Sequence, residues 1–209
     1  MHTSEQTILR AIEALRASVQ RPIVVALDGG SGAGKTTIAR RLACLTNVAT
    51  IPLDDFYQTV VPESAWAHKT VEQRLSMVFD WDRVRIEALQ PLRGGRPGRW
   101  RAFDFMRGLG TTGKYSLKSE VTEVAPAPTI LLEGAYSASP VLRDLIDISV
   151  LVDVQNSTRH LRIAARERDS SKALASWHAI WDEPEAHYLQ RICPPESFDL
   201  VIRNLDDSG

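Results

Sequence analysis

The 209-residue chain holds only two cysteines, Cys44 and Cys193, too few for a disulfide framework or a thiolate metal site. Long apolar runs are missing as well, and none approaches the ~18 residues of a membrane-spanning helix. The first stretch, MHTSEQTILRAIEALRASVQ, has no signal-peptide core, so the expected location is cytoplasmic. Neither sign of charge is in excess: 25 basic and 26 acidic side chains leave a net −1. That balance gives no reason to expect nucleic acid or a membrane as a partner. His2, His68, His160, His178 and His187 are scattered without ligand spacing. No repeat, low-complexity tract or interdomain linker appears, and the length suits one α/β domain over residues 1–209. A homo-oligomer stays open.

What the chain does have is glycine in one place. ALDGGSGAGKTT, residues 26–37, follows the apolar run PIVVA and packs four glycines into six residues. The spacing from Gly29 to Gly34, Lys35 and Thr36 is that of a phosphate-binding loop. Residues 23–28 read as a strand buried on both faces. The glycines permit positive φ and let backbone N–H groups converge on one point. TTIARRLACL then carries apolar residues at helical spacing, so the turn delivers an anion to a helix N-terminus. The expected phosphate contacts are Gly29, Gly30, Ser31, Gly32, Ala33, Gly34, Lys35, Thr36 and Thr37. Lys35 would reach the β- and γ-phosphates of ATP, and the Thr36 hydroxyl would ligate Mg²⁺. No G-x-G-x-x-G fits here, because Lys35 occupies the sixth position. Cys44, on the same helix, is expected to be a small core residue.

Candidate strands recur at 23–28, 48–53, 129–133, 147–154 and 199–202. Helical patterns lie between them at 36–45, 83–90, 140–146 and 157–168, which argues for a doubly wound parallel sheet. Thr3 and Gln6 have capping-box spacing ahead of an N-terminal packing helix. Residues 57–125 lack a strong core strand, and so long a segment suits a small substrate-binding insertion. A hairpin from RWRAFDF and YSLKSEVTEV is expected within it.

There is no guanine-binding N-K-x-D, and TILLEG ends on the lone acid Glu133. IPLDDFYQ is more telling. Its strand ends in Asp54 and Asp55, and ligands in such sheets sit beyond the carboxyl ends of strands. A carboxylate there can face the γ-phosphate and take a proton from an attacking hydroxyl. A turn or N-cap acid is the structural alternative. With DDFY, the sequence resembles the uridine kinase and phosphoribulokinase family of P-loop kinases, in which D-x-F-Y follows the second strand. The resemblance implies that Asp54 is the catalytic base and that Tyr57 lies at the substrate. It implies that Asp80 of VFDWD binds substrate hydroxyls. Phe103 of FDF and the following Arg107 would border the acceptor pocket, with Glu133 near Mg²⁺. VDVQNSTRHLRIAARERD is similar to the family's Arg-rich lid, placed at about 159–180.

At ~100° per residue, Arg159, Arg162 and Arg166 share one helical face and can neutralise a transferring phosphoryl group. Arg162 and Arg166 are the expected catalytic pair. Trp177, Trp181 and Tyr188 read as a packing stripe. Uridine kinases carry two histidines near the nucleobase, whereas here the places read FDWD and FDFMRG, with Trp81 and Arg107. The resemblance therefore implies an ATP- and Mg²⁺-dependent kinase acting on a small-molecule hydroxyl, with contacts to ribose-like hydroxyls retained. The alternatives are a non-catalytic nucleotide-binding module, a nucleic-acid-binding P-loop protein suggested by RGGRPGRWR, and a kinase for an anionic acceptor. The last would use Arg93, Arg96, Arg99, Arg101 and Arg107.

Overall fold

The structure, a computed structural model, describes residues 3–107, 115–166 and 180–203. Five parallel strands form its centre: β1 (Ile23–Asp28), β2 (Val48–Pro52), β5 (Thr129–Glu133), β6 (Ile148–Asp153) and β7 (Leu200–Arg203). They run in the order β2-β5-β1-β6-β7. β1 lies in the middle, registered Ile23 to Thr129 on one side and Val25 to Ile148 on the other. All six of its residues are buried, as expected of a parallel strand covered on both faces.

Two hydrophobic layers do the covering. Ile23, Val25 and Leu27 face helices α1 (Ser4–Arg16) and α2 (Lys35–Leu45), meeting Ile8, Ile12, Ile38 and Leu42. The expected Thr3–Gln6 capping box opens α1. Val24 and Ala26 face the other way, into a cluster with Phe56, Leu89, Leu92 and Trp100. The insertion supplies ten of the 29 buried residues of that cluster, sharing its apolar side chains with the sheet.

Within the insertion lie α3 (Glu63–Trp66), α4 (Val71–Met77), α5 (Trp81–Arg83) and α6 (Gln90–Arg93), with π-helical turns at Val84–Leu89 joining the last two. Pro91 explains the widening, because its ring clashes with the carbonyl four residues back; the Gln90 N–H reaches Arg85 O instead. The hairpin forms as expected, with β3 (Gly98–Trp100) antiparallel to β4 (Thr122–Val124) and a bridge from Phe103 to Leu117.

Two expectations fail. Residues 140–146 make only one 3₁₀ turn, Pro140–Leu142, the N–H groups of Leu142, Arg143 and Leu145 reaching back three residues rather than four. Cys44 is exposed, because the buried face of α2 is Lys35, Ile38, Ala39 and Leu42. α7 (Asn156–Arg166) carries the lid arginines. Residues 180–187 are helical, continued by π turns at Tyr188–Ile192. The lid beyond Arg166, with Arg168 and Trp177, lies outside the described residues. Among the described residues no helix is long and apolar enough to cross a membrane.

Candidate active site

The phosphate loop is held before any ligand arrives. Lys35 turns back into it, donating to the carbonyls of Gly29 (2.7 Å) and Gly30 (3.0 Å). Gly34 caps α2 with φ 94°, in the left-handed region. Thr36 Oγ1 lies 3.3 Å from both oxygens of Glu133. Burial pushes the Glu133 carboxyl above its usual range, Lys35 pulls it back and Asp54 pushes it further. Hard oxygen donors flanked by phosphate sites suit Mg²⁺, which binds through one or two protein oxygens plus substrate phosphates.

Two carboxylates brace the loop from behind. Asp28, at the end of β1, is almost wholly buried and accepts four hydrogen bonds. They come from the N–H groups of Gly29 (2.6 Å), Tyr136 (2.8 Å) and Ala138 (2.8 Å) and from the Tyr188 hydroxyl (2.7 Å). Burial raises its carboxyl above the ordinary value, and these donors oppose the shift. Glu185 accepts from Ser31 N (3.0 Å) and Ser31 Oγ (2.7 Å) and pairs with Arg159. Arg159 also donates to Ser31 O at 2.8 Å. The guanidinium lies so close that a Cβ on Gly30 would stand 2.1 Å from its central carbon, so any side chain there would displace the brace.

Of the three arginines expected on one lid face, Arg159 is thus a buried brace. Arg162 reaches the carbonyls of Gly32 and Ala33 (3.3 and 3.4 Å) and lines the cavity above the loop. The Arg166 side chain lies outside the described residues.

That cavity, of about 540 Å³, joins the loop to the acidic turn after β2. Ser31, Gly32, Gly34, Lys35, Thr36 and Thr37 form one wall. Asp54, Tyr57, Phe105 and Asp182 belong to the rest. The turn Leu53–Phe56 splits the two acids. Asp54 opens on the cavity, with the Tyr57 phenol hydrogen-bonded to it. Asp55 points inward and accepts from the Trp100 indole N–H at 2.8 Å. Gly134, at φ 155°, makes the turn possible, because a Cβ there would lie 2.7 Å from Leu53 Cβ. Burial, and then the Asp54 charge, push the Tyr57 phenol well above its usual value.

Tyr57 belongs to an aromatic cluster with Phe79 (ring centroids 4.7 Å), Phe103 (5.6 Å) and Phe105 (5.8 Å). Phe103 backs the cluster, while Phe105, about half exposed, reaches the cavity. Asp80 caps α5, its Oδ1 accepting from Arg83 N at 3.2 Å, and is not among the cavity's lining residues. Arg107 is exposed, its N–H bonded to Asp104 at 3.0 Å, and it too stands off the cavity. Arg93 pairs with Asp147 at the opposite, amino end of the sheet, and Arg99 with Glu123 on the hairpin.

The sequence profile described as the Phosphoribulokinase / Uridine kinase family matches residues 24–190. The chain belongs to that family. Like the rest of the family it is an ATP-dependent phosphotransferase with a hydroxyl acceptor. A uridine kinase of Streptococcus agalactiae is 30% identical over 209 residues, covering 89% of this chain and 93% of that one. One from Streptococcus gordonii is 29% identical over 161 residues, or 71% and 69% of the two chains. The fold matches a solved "Possible Uridine Kinase" from Bacillus stearothermophilus with a TM-score of 0.66 at 17% identity, covering 93% and 96%.

Asp28, Glu185 and Asp182 were not singled out by the sequence. Two of them left a signal. Asp28 is the one charge closing a wholly apolar strand, and Glu185 falls between Trp181 and Tyr188 at i, i+4, i+7, the charged member of a buried stripe.

Proposed function

We propose that this kinase transfers the γ-phosphoryl group of ATP, with Mg²⁺, to a hydroxyl of a nucleoside- or sugar-type small molecule in the cytoplasm. The observation that carries the proposal is that Asp54 opens on the same cavity as Lys35, Thr36 and Glu133. Asp54 takes the proton from the acceptor hydroxyl as its oxygen bonds to the γ-phosphorus and the bond to the leaving ADP oxygen breaks. Lys35 and Arg162 spread the charge of the transferring group. Thr36, with Glu133 close by, would hold Mg²⁺, which would supply charge neutralisation at the phosphates. Tyr57, backed by Phe103, shapes the acceptor wall.

Uracil is disfavoured as the group beside that hydroxyl. Where uridine kinases have a histidine, Trp81 donates its indole N–H to Ser76 O (3.1 Å) and packs on Phe79 (5.2 Å). A ring so committed has no hydrogen bond to give a base.

The test is ADP release across a panel of nucleosides, sugars and amino alcohols, run with wild type and Asp54→Asn. Acceptor-dependent turnover that falls by two orders of magnitude in the variant, with ATP·Mg²⁺ binding intact, is expected. If no acceptor stimulates ADP release, the protein is a nucleotide-binding module instead.

A further inference from the structure

Building on the kinase reading above, we propose that Tyr136 is a positioning residue for the nucleotide: its buried hydroxyl takes over the Glu185 carboxylate when a phosphate of ATP claims the Ser31 N–H.

Tyr136 stands out in both backbone and side chain. Among the described residues it is the one non-glycine with positive φ, at 67°, a conformation a bulky residue adopts only where its surroundings impose it. Asp28 imposes it, accepting from the N–H groups of Tyr136 and Ala138, both at 2.8 Å. The ring is then fixed edge-on to Tyr188, with centroids 4.9 Å apart, and against Phe79 at 6.4 Å. Tyr188 commits its hydroxyl to Asp28 at 2.7 Å. The Tyr136 hydroxyl is buried as well, yet it has no hydrogen-bond partner among the described residues. Folded proteins keep few such orphans, because each one costs stability.

Two carboxylates, Asp28 and Glu185, border the same narrow gap as Tyr136, and the gap is too tight for a bridging water. Asp28 already accepts four hydrogen bonds, which fills its lone pairs. Glu185 accepts three, from Ser31 N–H and Oγ on one oxygen and from Arg159 on the other. The place left is on Glu185. Burial, and then the Glu185 charge, push the Tyr136 phenol well above its ordinary value; Asp28 and Asp182 add to the push and Arg159 opposes it. The hydroxyl therefore keeps its proton at neutral pH and can donate it.

Glu185 and Ser31 also border the large cavity above the loop. The carboxylate thus sits as an anion on a loop N–H, where such loops receive phosphate. An arriving phosphate repels it and competes for Ser31. On giving up Ser31, Glu185 keeps Arg159 and gains the Tyr136 hydroxyl across the gap, which holds its charge away from the nucleotide.

The experiment sets calorimetric binding of a non-hydrolysable ATP analogue with Mg²⁺ beside urea unfolding of the free protein, for wild type and Tyr136→Phe. A hydrogen bond to a charged group changes affinity by about tenfold or more, so the Kd of the variant is expected to rise by about tenfold. Free stability is expected to hold or rise, since the ring stays and only an orphaned hydroxyl goes. A merely structural tyrosine gives the opposite split, lower stability with an unchanged Kd. In a crystal structure of wild type with the analogue, Tyr136 Oη is expected about 2.7 Å from a Glu185 oxygen, with the Ser31 N–H on phosphate. That structure decides the matter if the variant loses stability and affinity together. An unchanged Kd, or a Glu185 carboxylate still on Ser31 in the bound structure, overturns the exchange while leaving the kinase intact. If wild type binds no nucleotide, the kinase reading fails and the exchange with it.

Discussion

Replacing Asp28 with alanine removes the one acceptor that four buried donors share. Gly29 N–H, Tyr136 N–H, Ala138 N–H and the Tyr188 hydroxyl all point at it, and its side chain is about 1% exposed. An orphaned buried donor costs ~1–3 kcal/mol, so the gross loss is of order 4–12 kcal/mol. Relief from burying a charge offsets part of that, and the net is expected near the ~3–5 kcal/mol of breaking a buried ionic network. Asp28→Asn should cost less. Its oxygen keeps Gly29 and Tyr136, while its amide meets the Ala138 N–H donor to donor, and only Tyr188 can turn its hydroxyl to accept.

Urea unfolding followed by tryptophan fluorescence measures both variants, and the KM for ATP reports on the loop, since Gly29 loses its anchor. The sign with pH is fixed by burial. The folded carboxyl binds its proton more tightly than the unfolded one. Wild-type stability therefore declines as pH rises from the unfolded value of ~3.9 through the folded one. Asp28→Asn lacks that decline. An alanine variant within ~1 kcal/mol of wild type would refute the network, since that is less than one ordinary hydrogen bond plus an orphan.

Asp54→Asn should lose at least ~10²-fold in kcat with little change in stability. Asp55→Ala should do the reverse, costing ~1–3 kcal/mol by orphaning the Trp100 indole while kcat holds within a few-fold; reversed severities in paired kinetics and melts would reassign the base. Glu185→Ala leaves Arg159 buried and unpaired and is expected to cost ~3–5 kcal/mol. A double-mutant cycle with Arg159→Ala should then give a combined loss well short of the sum, and strict additivity would break the brace. The raised Glu133 carboxyl must be ionised to meet a cation, so the acid limb of the pH–rate profile should move to lower pH as Mg²⁺ is increased. An acid limb indifferent to Mg²⁺ would remove Glu133 from the metal site.

How far the sequence could be followed depended on whether a residue's job was local. The phosphate loop was legible because its spacing, its strand and its helix sit within some twenty consecutive residues. The strands of the sheet were legible for the same reason, as short apolar runs between helical patterns. The hairpin at 98–124 followed from strand-like runs on either side of a glycine-rich gap. Illegible from one dimension were jobs assigned by distant partners. Arg159, Arg162 and Arg166 share a periodicity, yet Glu185, 26 positions along, takes Arg159 into the loop's support. Cys44 stood in an apolar pattern, but the helix turned Ile38 and Leu42 inward and left it outside.

Asp54 and Asp55 show where the boundary lies. Adjacent and chemically identical, they can be told apart only by what comes to meet each of them. Trp100, 45 positions along the chain, supplies an indole N–H to Asp55 and buries it. The absent side chain of Gly134 lets Leu53 pack against β5 and tips Asp54 toward the phosphate loop. The family's motif puts a base at the first acid but gives no physical reason for the choice. The reason is that the insertion's buried tryptophan occupies the second, so the acid that opens on the cavity is the one placed to meet a substrate.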